Sequence, residues 1–386
     1  MNLSEYITVT RTVSDTEPSG FIYKRFYQRI LNAFDNPDLL PEFKVVYTLQ
    51  RSTEVMVLSG KEYLLYDQYL GQTMNMLNRI LLNSDSPMDA QMYFFKLLAE
   101  RYALGGQFGW AMMFGFSYLK MRETYTSYRR DKNLIRRSTF TWSQELFIIA
   151  HEIAHLIIKN PGRFISLPQR DSSSTEKGEG NYENYDVVIR SLAEQFKLGR
   201  IDYDMFMPSS DNPFAKMLLN NPDFSMSSDI REECCCDVLA TIMLISVLKQ
   251  DKGIDFSDVL IAIAMCLRHL RVLGFVELMY SKAWFAEQSG NKPLIHGLLL
   301  RTSNIREFMR ALAGVHIEGV ELRVGYDMIQ MAEHYEKVID DPVMFSVADK
   351  IKNLMNVPEL NKLNTDNPKI TLREVGEITG FFETIS

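Results

Sequence analysis

Leu146-Phe147-Ile148-Ile149-Ala150-His151-Glu152-Ile153-Ala154-His155-Leu156-Ile157-Ile158 is the stretch that decides how this chain folds and where its chemistry sits. Leu146, Ile149, Ile153, Leu156 and Ile157 recur at three- and four-residue intervals, the spacing of a helix face. Thr141 and Gln144 have the pattern of a capping box, which predicts the helix start there. Asn160-Pro161-Gly162 predicts its end. Three polar residues interrupt this apolar helix, and they form an H-E-x-x-H pattern. Residues four apart lie one turn apart on one face. His151 and His155 can therefore reach one metal ion, at the roughly 2.0–2.1 Å that imidazole–zinc bonds need. Glu152 lies on the adjoining face, within reach of a metal-activated water.

A catalytic zinc needs a third protein ligand and an open position. Glu232-Glu233-Cys234-Cys235-Cys236-Asp237 opens the next strongly apolar helix. Glu233 and Asp237 stand four apart and share a face. Glu233 is the expected third ligand, and Asp237 the carboxylate that fixes a ligand histidine through its far nitrogen. Glu232 is the competing ligand; its better use is as the cap partner of Asp229. Three consecutive cysteines point about 100° apart around a helix and cannot all converge on one ion. They read as small buried residues.

HEIAH followed by E-x-x-x-D on a later helix resembles the gluzincin metallopeptidases. EECCCDVLAT looks like the corresponding segment of the CAAX-prenyl-protease type and related bacterial peptidases. The resemblance spans roughly residues 139 to 310. It implies Zn²⁺ as cofactor, His151, His155 and Glu233 as ligands, Asp237 as the orienting acid and Glu152 as the catalytic base. Related proteins often carry His-Pro and then Arg; here Lys292-Pro293-Leu294-Ile295-His296 and Arg301 stand in that region, with the proline before the histidine. His296, Arg301, Tyr182 and Tyr185 are the candidates for stabilising an oxyanion, and His296 is taken as the catalytic one. The layout is also similar to the Lit group of phage-exclusion proteases, which implies a role in bacterial antiviral defence.

The rest of the 386 residues constrains this picture. Hydrophobic residues make up 46% and charged residues 24%, enough apolar material for a large core and too little charge for disorder. A net charge of −7 argues against a nucleic-acid partner. The cluster Arg129, Arg130, Lys132, Arg136 and Arg137 reads as a solvated connector within Tyr118–Arg137. Four cysteines, three of them adjacent, suggest a reducing compartment. With no apparent signal peptide, the expected location is the cytoplasm. Val238–Leu248 and Val259–Leu267 are too short to span a bilayer and read as core helices, so no membrane partner is expected. His269 reads as a packed or surface histidine rather than a ligand, and most of the 21 methionines as core filling.

Phe43–Gln50 and Thr53–Ser59 are rich in β-branched and aromatic residues and predict a β-hairpin, with Tyr63–Tyr66 as a further strand. Asp67–Leu82 and Pro87–Leu104 predict helices, and 369–373 a short β piece. The polar stretch 168–185 predicts a loop over the site. The expected fold is α+β, mainly helical and zincin-like, with a small N-terminal β element. Residues 1–135 form a mixed α/β region carrying the substrate-edge hairpin, and 136–386 the helical zinc-binding catalytic region. The expected function is a zinc endopeptidase acting on a protein or peptide. The rival readings are a zinc hydrolase of another bond and a zinc-binding regulatory module.

Overall fold

Lys61–Asp67 (β4) alternates strictly, and the alternation sorts its side chains between two clusters. Leu64 and Tyr66 join the main core, while Tyr63 and Leu65 meet Val46 and Leu58 on the other face. Both faces are thus covered, and β4 is an inner strand. The computed structural model describes residues 11–12, 18–32, 34, 40–47, 51, 53–124, 131–164, 183–195, 228–248, 254–281, 301–302, 305, 326–347 and 351. Its sheet has the order β1 (Arg11–Thr12), β2 (Glu42–Tyr47), β4, β3 (Glu54–Leu58).

The expected hairpin between the segments at 43–50 and 53–59 is corrected. β3 forms its hairpin with β4, antiparallel, and β2 pairs with β4 in parallel from the other side. The reason is the turn. Ser59 and Gly60 adopt φ of 51° and 77°, the two left-handed residues that a tight hairpin requires. β3 is left as an edge strand among the described residues.

The remaining structure is mainly helical. α1 (Pro18–Leu31) precedes β2; α2 (Gln68–Asn83), α3 (Pro87–Leu104) and α4 (Phe108–Thr124) follow the sheet. Asp67 caps α2 by accepting from the Tyr69 amide at 2.9 Å, and Ser86 caps α3 with Pro87 in its first turn. α5 (Leu134–Lys159) carries the histidine pair and packs on α2, on α8 (Ser228–Leu248) and on α9 (Phe256–Tyr280). The short α6 (Pro161–Phe164), α7 (Glu183–Gln195) and α10 (Tyr326–Tyr335) complete the set, with π-helical turns at Glu336–Asp340 and Pro342–Val347. One apolar core runs from Tyr23 to Ile351. By length and composition α9 could cross a membrane, yet 78% of its apolar window is buried inside the fold, as a core helix requires.

α5 begins seven residues before its expected start. Thr141 and Gln144 are therefore interior, not a capping box. Thr141 bonds back to the Arg137 carbonyl, and Gln144 is fully buried in a polar lock. The Asn78 amide donates to Gln144 Oε1 at 2.7 Å, and Gln144 Nε2 donates to the Ala262 carbonyl at 3.1 Å. His269 adds a bond of 2.9 Å to Asn78 Oδ1 and another of 2.8 Å to the Tyr335 hydroxyl. These partners assign a neutral ring that donates from Nε2 and accepts at Nδ1. Burial pulls its pKa down to about 3, in keeping with that assignment. His269 is thus a packed histidine that fixes α9 to α2. The basic connector is also shorter than expected, because Arg136 and Arg137 lie in α5 and pair with Asp258 and Asp131 at 2.8 and 2.7 Å. Arg129, Arg130, residues 168–182 and the expected β piece at 369–373 lie outside the described residues.

Glu145 sets how α5 sits against the sheet. Its carboxylate accepts from the Tyr23 hydroxyl at 2.6 Å and lies beside Tyr66. Gly71 on α2 permits this approach, because a Cβ there would strike the Glu145 carboxylate and come within 2.7 Å of the Tyr66 hydroxyl. Burial pushes the Glu145 pKa from 4.5 up to about 7. A carboxyl raised in the folded state favours folding while it is protonated in both states. That advantage is lost as pH rises from its unfolded value through about 7. Glu145→Gln is therefore expected to raise stability at pH 8 by up to ~3 kcal/mol, at about 1.4 kcal/mol per pKa unit, and to have little effect at pH 4. Urea midpoints at the two pH values measure this, and an equal shift at both would refute it.

Candidate metal centre

The site is built where α5 meets α8. His151 and His155 project from one face of α5, with ring centroids 4.9 Å apart and planes nearly perpendicular. α8 lays Glu233, Cys236 and Asp237 against them, residues whose i, i+3, i+4 spacing puts them on one face. The Nε2 atoms of both histidines lie 3.3 Å from the Glu233 carboxylate, each facing a different oxygen. The other ring nitrogens also meet acids. His155 Nδ1 bonds Glu232 Oε1 at 2.9 Å. His151 Nδ1 approaches Asp237 Oδ1 to 3.0 Å but makes no aligned hydrogen bond, so it is a buried polar atom with an ionic neighbour only. One donor atom each from His151, His155 and Cys236 lie within 4.8 Å of one another, a group able to hold a metal ion.

Arg301 closes the acid side of this cluster. Its Nε and Nη2 donate to the two oxygens of Asp237, both at 2.8 Å, and its Nη1 lies 2.7 Å from Glu233 Oε2. Such a fork matches a carboxylate in both charge and geometry. Burial disfavours the Glu233 carboxylate, but the two histidines and Arg301 overcome this and hold it ionised well below the usual range. Asp237 is likewise held low against burial, by Arg301 and then His151. Burial alone would keep His151 neutral, yet Asp237 and Glu233 push its pKa up to about 9; His155 is raised in the same way. Three acids aimed at two imidazoles thus make a place that favours positive charge. The paired imidazole nitrogens, the carboxylate and the thiol are the donors a divalent transition metal takes.

Glu152 lines the same cavity of about 250 Å³, with Phe147, Ile148, Leu270, Arg301, Arg51 and Thr53. Burial raises its pKa, making it a stronger base than an exposed glutamate. Arg51 and Thr53 come from the segment leading into β3, so the sheet edge begins at the cavity wall. Arg51 holds a left-handed φ of 56°, uncommon for a residue with a side chain. Several contacts fix it there. Its amide donates to Asp67, its Nε to Thr73 at 3.1 Å, and its guanidinium pairs with buried Glu100 and lies 4.7 Å from the Tyr69 ring centre.

Of the residues singled out in the sequence, His151, Glu152, His155, Glu233, Asp237 and Arg301 meet here. His296 and Tyr182 lie outside the described residues, as does the side chain of Tyr185. Glu232 is corrected from a helix cap to the partner of His155, because α8 begins at Ser228 and places Glu232 in its second turn. Cys236 was detectable in the sequence, since it is three residues from Glu233 on the same helix. Arg51 and Thr53 carried no such signal. Comparison with protein-family models, with curated proteins and with solved structures finds no match.

Proposed function

We propose that this chain is a zinc-dependent endopeptidase that hydrolyses a peptide bond in a specific intracellular protein. The observation that carries this reading is the meeting of His151, His155 and Glu233 at a cavity whose wall also holds Glu152. His151 and His155 would bind the ion through Nε2 and Glu233 through one carboxylate oxygen. Bound zinc supplies Lewis-acid activation of water and of the peptide carbonyl. Glu232 bonds His155 from the Nδ1 side, which fixes its tautomer and strengthens it as a donor, and the Asp237 carboxylate faces His151 Nδ1, where it would do the same once the ring is aligned on the metal. Glu152 takes the proton from the attacking water and returns it to the leaving nitrogen. Arg301 puts a fixed positive charge on the cavity wall, where charge develops on the carbonyl oxygen. β3, paired on one side only among the described residues and starting at Glu54, next to Thr53 of the cavity wall, supports an extended peptide as substrate, because a strand can add to its open edge and lead into the cavity.

One observation favours a second reading. Cys236 stands with the two histidines, and a fourth protein donor is a mark of closed, structural zinc sites. In that case the chain is a zinc-binding regulatory module without peptidase activity.

Zinc per chain and cleavage of a cell lysate test both readings together. About one zinc in the wild type, lost in Glu233→Ala, is the expected result for the site. New protein N-termini that appear with the wild type and not with Glu152→Gln are the expected result for the activity. Zinc that is indifferent to Glu233 would remove the ligand assignment, and zinc without cleavage would favour the regulatory module.

A further inference from the structure

We propose that Cys236 is a fourth protein donor to this metal, so that the resting centre is closed by His151, His155, Glu233 and Cys236. The inference rests on the zinc reading above and concerns a residue that a three-ligand site does not use. Only the third of the three adjacent cysteines is placed for it. Successive helical residues point about 100° apart, so the face that carries Glu233 and Asp237 also carries Cys236 and turns Cys234 and Cys235 away. All three are fully buried, but Cys236 alone joins the group whose donor atoms lie within 4.8 Å. Donors on one tetrahedral zinc, with bonds of about 2.0–2.3 Å, sit roughly 3.5 Å apart. For Cys236 and the two histidines the 4.8 Å spread is thus about an ångström wider than a bound ion requires.

Arg301 limits what Glu233 can give. It keeps Glu233 Oε2 at 2.7 Å, which commits one of the two carboxylate oxygens. Glu233 would then offer the metal one oxygen and the histidines one nitrogen each, which leaves a fourth position for Cys236, the thiol grouped with both histidines. A thiolate also narrows the choice of ion, favouring zinc over magnesium, calcium or manganese. The functional consequence is an exchange step: a centre with four protein donors keeps no permanently open position, so the sulfur gives way to water in each turnover.

Cobalt makes the sulfur visible. The full chain is stripped of metal and reloaded with Co²⁺. The wild type is expected to show tetrahedral d–d absorption together with a near-ultraviolet thiolate-to-cobalt charge-transfer band. Cys236→Ala is expected to lose the charge-transfer band and keep d–d absorption, and Cys234→Ala to keep both. A wild type with d–d absorption and no charge-transfer band overturns the donor role of Cys236 and leaves the histidine site standing. Failure to take up cobalt, or uptake unchanged in His151→Ala, overturns the zinc site itself. Should Cys236→Ala not fold, X-ray absorption at the zinc edge of the wild type decides. One sulfur at about 2.3 Å supports the proposal, and a shell of nitrogen and oxygen alone overturns it.

Discussion

Glu152→Gln is expected to lower cleavage of the lysate substrate by roughly 10²- to 10⁴-fold, the usual worth of a positioned general base, while zinc per chain stays at the wild-type value. The two halves of this result come from the geometry. Both imidazoles direct Nε2 at Glu233, so the proposed ligands do not include Glu152. Glu152 instead lines the cavity, where burial raises its pKa and suits it to take a proton. Glutamine keeps the size and shape of the side chain and removes only the proton acceptor. Glu152→Asp keeps the acceptor but withdraws it by about one methylene. A shift of roughly 1 Å can cost about 10²-fold, so this variant should also be impaired, with zinc again retained. Quantifying new N-termini over time for the three proteins at equal zinc loading makes the comparison. Glu152→Gln cutting at the wild-type rate would remove the mechanism, and loss of zinc in it would make Glu152 a ligand.

The chemistry-bearing helices could be read from the sequence because their periodicity is local. The H-E-x-x-H spacing and the Glu233/Asp237 interval each lie within two turns, and the structure sets them face to face. Long-range pairing could not be read in this way. Thr141–Gln144 has the letters of a capping box, but Gln144 is used by Asn78 and Ala262, which are 66 and 118 residues away. The choice of hairpin partner turned on Ser59-Gly60, a turn whose left-handed pair has a serine where glycine or asparagine is the stronger signal. Glu232 was assigned to a cap by sequence logic, and its bond to His155 depends on where α8 begins. Arg51 reaches the cavity only because Asp67, Thr73 and Glu100, on later elements, hold it there.

Arg301→Met is expected to cost about 3–5 kcal/mol of stability in the metal-free chain, because it leaves Asp237 buried and stripped of its main counter-charge. Asp237 is 0% exposed, so water cannot replace the guanidinium that now donates to both its oxygens. Arg301→Met/Asp237→Asn should recover most of that loss. Two neutral side chains of similar size replace the ion pair, and such exchanges are often close to neutral. Zinc binding should not recover with it. The double variant still lacks the carboxylate beside His151 Nδ1, and loss of such an orienting group typically weakens a metal site 10- to 100-fold. Urea unfolding with chelator present and competitive zinc titration read the two quantities separately. If Arg301→Met costs less than about 1 kcal/mol, within the range of an exposed pair, the ion pair is not the buried clamp described. If stability and zinc affinity recover together in the double variant, Asp237 supports the fold alone and His151 does not depend on it. Recovery of stability without recovery of zinc affinity would assign Arg301 to holding the acid in place and Asp237 to holding the histidine.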